Sequence, residues 1–137
     1  MIPSLLVFAS AAIIAGLGVV HLWFTFVGPE LRPREVELEN RMKAVSPVIT
    51  RQTTMWKAWI GFNASHSFGA LLFGAIYGYL ALAKSALLFQ STFLAIVGGL
   101  LLAGYIILGK LYWFRVPFRG IVLASILYAG GFVASRI

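Results

Sequence analysis

Four stretches of this chain carry no charged side chain: residues 1–29, 58–83, 85–109 and 120–135. A helix crossing the hydrocarbon core of a bilayer needs roughly 20 apolar residues, because each residue adds only about 1.5 Å. Three stretches pass that length directly. The fourth has 16 residues and reaches 19 if it starts at Pro117, with Arg119 snorkelling to the interface. A chain that is 61% hydrophobic and 11% charged over 137 residues cannot clothe a water-soluble globule of this size. The expected fold class is all-α: an integral membrane four-helix bundle with a short amphipathic helix in its first connection. Residues 1–137 read as a single transmembrane domain, with spans at about 3–27, 55–83, 87–108 and 117–135 and a cytoplasmic connection at 29–54. No Lys/Arg-rich n-region or small-residue cleavage site marks a removable leader.

The charge is segregated. All four acidic residues, Glu30, Glu35, Glu37 and Glu39, lie in the first connection, with Arg32, Arg34, Arg41, Lys43 and Arg51. Within it, Leu38, Met42 and Val45 recur at helical spacing opposite the charges. That pattern fits either an amphipathic helix lying on the membrane surface or a solvated helix with a few apolar contacts. Ser46-Pro47 should end it, and Thr50, Thr53 and Thr54 offer caps for the next helix. The net charge of +7 resides at segment ends and connections. The expected partners are therefore membrane lipids, including anionic headgroups at the cytoplasmic face, and a second copy or a membrane partner subunit. Nucleic acid is not expected, as no nucleic-acid module is present. With both termini outside, nine basic residues face the cytoplasm and two do not, which sets the expected orientation.

Small residues mark the expected packing faces. Ala11, Ala15 and Gly18 line span 1, Ala70, Gly74 and Gly78 line span 2, and Ala95, Gly99 and Ala103 line span 3. Lys84-Ser85 leaves room for a tight turn, so spans 2 and 3 are expected to pair through their stripes as an antiparallel hairpin. Trp56 and Trp59 suit one interface of span 2, and Tyr77 and Tyr79 the other.

The polar residues of the spans concentrate in Met55–Gly69, which holds Asn63, Ser65, His66 and Ser67. The only other histidine, His21, sits about 7 residues, or roughly 10 Å, from the end of span 1; His66 sits about 9 residues, or roughly 13 Å, from Lys57. Both imidazoles are thus expected at similar depth. Three readings are open. Each histidine hydrogen-bonds a neighbour such as Asn63, Thr25 or Ser67 and joins spans 1 and 2. Alternatively, His21 and His66 are axial ligands of a b-type haem. In the third, a polar pocket lined by His66, Asn63 and Trp59 and reached from the cytoplasmic side takes a small amphipathic ligand or lipid. The candidate ligand-binding residues are His21, Thr25, Trp59, Asn63, His66 and Ser67. Asn63, His66 and Ser67 share one helical face, and an amide left unpaired in hydrocarbon is costly, so this face should point inward. Ser65 points elsewhere and should bond its own helix.

Little supports catalysis. No carboxylate lies in any span, so the embedded acid of proton-coupled exporters is missing. Two histidines do not complete a metal site. The absence of cysteine excludes thiol nucleophiles and zinc–thiolate centres. No acid or oxyanion loop accompanies the serines. Glu30 is the nearest carboxylate, with Arg32 or Arg51 as interfacial partners.

The run WIGFNASHSFG at Trp59–Gly69, followed by FGAIYGYL, resembles a W-x-G-F-N-x-S-H motif of small, uncharacterised four-span bacterial inner-membrane proteins. In size and topology the chain is more loosely similar to DoxX-like four-helix membrane proteins. The resemblance implies a compact bundle in the bacterial inner (plasma) membrane, with Asn63, Ser65 and His66 in its cytoplasmic half, and it brings no reaction. The expected function is a non-enzymatic binding or accessory protein with a polar intramembrane pocket near the two histidines and no cofactor. The alternatives are a haem b electron carrier or redox subunit, and a structural subunit of a larger complex.

Overall fold

A computed structural model describes all residues, Met1–Ile137. Its elements are α1 (Ile2–Phe26), α2 (Val36–Ala44), α3 (Met55–Ala83), α4 (Ser85–Gln90), α5 (Thr92–Tyr112) and α6 (Arg115–Ala134). The fold is all-α. Four of the helices, α1, α3, α5 and α6, are long and apolar enough to cross a membrane.

Local chemistry sets the helix ends. Pro29 disfavours helical backbone in the residue before it, so α1 stops at Phe26. Pro47 closes off α2 in the same way. Thr54 caps α3 by accepting the Lys57 N–H at 3.3 Å. The third span differs from expectation. It runs from Thr92 to Tyr112 rather than over 87–108, and α4 replaces the tight turn after Lys84. Ser91 causes the break: its backbone is extended and its hydroxyl accepts the Leu94 N–H at 3.2 Å, starting a new helix. The first and last spans shift by no more than two residues.

The chain divides into two compact units, residues 18–69 and residues 1–17 with 70–137. In the larger unit, Val7, Ile14, Phe73, Tyr77, Leu88 and Leu102 are core residues. The small-residue stripe of α3 does not mate with that of α5. Gly74 lies against α1, so close that an added Cβ would meet the Ala15 Cβ at 2.5 Å and the Ala11 carbonyl at 3.0 Å. Gly99 has open space and Ala103 is exposed. The α1 and α3 stripes match each other, while α3 meets α5 through a large residue. Tyr77, expected at an interface, is buried and donates its hydroxyl to the Leu94 carbonyl at 2.7 Å. Tyr128 of α6 donates toward the adjoining carbonyls of Leu94 and Ala95, at 3.2 and 3.0 Å. Gly98 receives both tyrosine rings, and any Cβ there would collide with them.

The smaller unit holds the end of α1, all of α2 and the start of α3. The Met55 N–H donates to the Val45 carbonyl at 2.8 Å, closing the loop after α2. Lys43 pairs with Glu39 one turn away and lies 5.4 Å above the Trp56 ring. The Lys43 hydrogen bond holds the Glu39 carboxyl below the usual carboxylate range. Neither interfacial pair expected for Glu30 forms; the ion pair of this connection is Lys43–Glu39.

Candidate functional site

All six candidate residues fall in the smaller unit, and the structure sorts them by what their polar atoms do. His21 and Asn63 are hydrogen-bonded, with the imidazole Nε2 and the amide Oδ1 3.0 Å apart. The Asn63 Nδ2 donates to the Trp59 carbonyl at 2.8 Å. That second bond fixes the amide orientation, because only the nitrogen can donate to a carbonyl. Oδ1 is then an acceptor, so His21 carries a proton on Nε2 and donates it. The sequence explains the geometry: Trp59 and Asn63 are four residues apart, so the amide reaches back to a carbonyl of its own helix.

His66 completes the cluster. Its ring meets that of His21 edge to face, with centroids 5.2 Å apart and planes at 82°. The two imidazoles share one layer, as their distances from the helix ends implied. Their contact leaves no gap for a flat macrocycle between them, and His21 Nε2 is already engaged by Asn63. The rings as arranged do not fit a bis-histidine haem. No group of three or more metal-binding side chains exists elsewhere.

Thr25 and Ser67 do not join the cluster. Thr25 Oγ1 donates to the His21 carbonyl at 2.7 Å, and Ser67 Oγ to the Asn63 carbonyl at 3.1 Å. Each hydroxyl satisfies itself on its own helix, which is how a buried Ser or Thr avoids an unpaired donor in lipid. Ser65 does the same with the Phe62 carbonyl at 2.9 Å.

Trp59 links this cluster to something the sequence did not reveal. Its indole Nε1–H donates to the Leu31 carbonyl at 3.0 Å. Leu31 lies in a turn just beyond α1, closed by the Arg32 N–H on the Pro29 carbonyl at 3.0 Å. Two cavities flank this turn. One, of about 370 Å³, is lined by Leu31, Pro33, Leu38, Met42 and Trp59 and by the charged residues Glu30 and Arg32. Its volume lies in the range of small-molecule sites, roughly 300–1,000 Å³. The other, of about 180 Å³, is lined by Thr25, the aromatic residues Phe24, Phe26 and Trp56, and Arg32. Neither is lined by His21, Asn63, His66 or Ser67. Of the six candidates, Trp59 lines the larger of these two cavities and Thr25 the smaller. Leu31 and Arg32 were missed as cavity residues because the three-residue segment between Pro29 and Pro33 has no periodicity to read.

Two cross-links therefore hold the same pieces together. His21 to Asn63 ties the end of α1 to the start of α3, and Trp59 to Leu31 ties the turn that follows α1 to α3. Two such ties in one small unit position the cavity walls without a disulfide. The chain matches no family model, no curated protein and no solved structure.

Proposed function

We propose that this protein is a non-enzymatic membrane binding or accessory protein whose ligand site is the pair of cavities at the Pro29–Arg32 turn. The observation that carries the reading is the Trp59 indole bond to the carbonyl of Leu31, a residue in the wall of both cavities. The histidine–asparagine cluster is the scaffold behind that wall. Within it, His21 Nε2 is bonded to Asn63 Oδ1, and the Asn63 amide nitrogen to the Trp59 carbonyl. The excess of Lys and Arg in the first connection supports placing the site at the cytoplasmic face of a bacterial inner membrane, with both termini outside.

The test is retention of a small amphipathic molecule by protein purified into phosphatidylcholine nanodiscs, read by native mass spectrometry. The wild-type chain is expected to carry one bound molecule. Met42→Trp fills the larger cavity from α2 and is expected to displace it without unfolding the bundle. Wild-type protein that carries nothing and takes up no added amphiphile contradicts the proposal, as does full retention by Met42→Trp.

A further inference from the structure

Arg32 is the one residue besides Leu31 that lines both cavities. Its guanidinium makes no hydrogen bond and no ion pair; the ion pair nearby is Lys43–Glu39. Glu39 is the carboxylate whose charge Arg32 senses, and Lys43 already holds it. The two cavities differ in chemistry. The larger presents Leu31, Pro33, Leu38, Met42 and the Trp59 ring. The smaller has Arg32 as its single charged residue, beside Thr25. Glu30 borders only the larger cavity, so an anion is favoured in the smaller one.

We infer that the site takes an amphiphile with an anionic head and an acyl chain, the head on Arg32 in the smaller cavity and the chain along the apolar wall floored by α2. This rests on the binding role proposed above and adds the charge and shape of the ligand. A guanidinium offers a planar fork of donors that matches a carboxylate or phosphate oxygen pair. The acyl chain supplies the apolar area that Leu38 and Met42 would otherwise leave open at the edge of the bilayer.

The experiment uses the full chain in phosphatidylcholine nanodiscs, titrated with oleate, oleyl alcohol, phosphatidylglycerol or inorganic phosphate and read by native mass spectrometry. Oleate is expected to bind one per chain, and oleyl alcohol at least ten-fold more weakly, a difference of about 1.4 kcal/mol. Arg32→Gln should lower oleate to the level of the alcohol, while Arg34→Gln, whose side chain lines neither cavity, should change nothing. Competition by phosphatidylglycerol supports the same chemistry and identifies a bilayer lipid as its source; its failure to compete identifies a free fatty acid. Equal binding of oleate and oleyl alcohol, unchanged in Arg32→Gln, overturns the anionic head and leaves the binding role intact. Equal losses in Arg32→Gln and Arg34→Gln overturn it too, by assigning the effect to diffuse charge. Phosphate binding as tightly as oleate overturns the acyl chain. Binding of none of the four overturns this inference and the binding role together.

Discussion

His21 and Asn63 lie 42 residues apart in the chain and are joined by a 3.0 Å hydrogen bond from imidazole Nε2–H to amide Oδ1. The amide is doubly used, since its nitrogen donates to the Trp59 carbonyl. Each partner thereby avoids the cost of an unpaired polar group in hydrocarbon, and the pair sets the spacing between the end of α1 and the start of α3.

Asn63→Leu removes both bonds and leaves His21 Nε2–H without its acceptor. Measured interhelical hydrogen bonds in membranes average about 0.6 kcal/mol and reach about 1.7. A loss of about 1 kcal/mol is expected in a denaturant titration of the detergent-solubilised protein. His21→Phe should cost a similar amount, and the double variant little more than either alone, because the two residues share one interaction. Additive losses would show that the bond contributes nothing as a pair.

Trp59→Phe keeps an aromatic wall on the larger cavity and deletes only the indole donor. The net worth of such a bond is about 0.5–1.5 kcal/mol. Amphiphile binding is expected to weaken by a few-fold to about ten-fold, with a smaller effect on overall unfolding than Asn63→Leu. Binding identical to wild type would separate the Leu31 turn from the ligand site.

Gly74→Val drives a branched side chain into Ala15 and the Ala11 carbonyl, where a Cβ alone has only 2.5 Å to its nearest atom. Overpacking of this kind costs about 1–3 kcal/mol. Gly99→Ala, with nothing within 4 Å of the new methyl, should be neutral or stabilising. Paired unfolding curves of the two variants check this. The reverse order would restore the pairing of α3 with α5 that the glycine spacing suggests.

The Glu39–Lys43 pair predicts a pH effect confined to α2. The Glu39 pKa is lowered in the folded chain, so its contribution is complete above the ordinary carboxylate pKa of about 4.3 and disappears as pH falls through the lower, folded value. Amide exchange in Val36–Ala44, corrected for the intrinsic rate, is expected to accelerate over that window. Glu39→Gln should flatten the dependence.

How much of this was legible in the sequence varies by feature. Charge-free length determined the four long helices, because nothing but a helix satisfies its own backbone over such a run in lipid. Histidine depth also followed from length alone, and the two rings meet at 5.2 Å. Partner choice did not follow. A small-x-x-x-small stripe states that a neighbour comes close but not which one, and Gly74 found Ala15 of α1 rather than Gly99 of α5. Ser91 was a helix cap hidden in an apolar run. The cavity escaped notice because its key atoms are a backbone carbonyl, Leu31, and an arginine in an aperiodic turn. Residue types do not advertise where a carbonyl points.

The most direct measurement is hydrogen exchange at the Trp59 indole N–H, followed by NMR of tryptophan-labelled protein in nanodiscs, in wild type and in Asn63→Leu. If the two cross-links act together, the Trp59 indole is protected in the wild type and becomes exchangeable in the variant while the helices persist. Identical protection in both proteins would contradict the claim that the histidine–asparagine cluster holds the cavity wall in place.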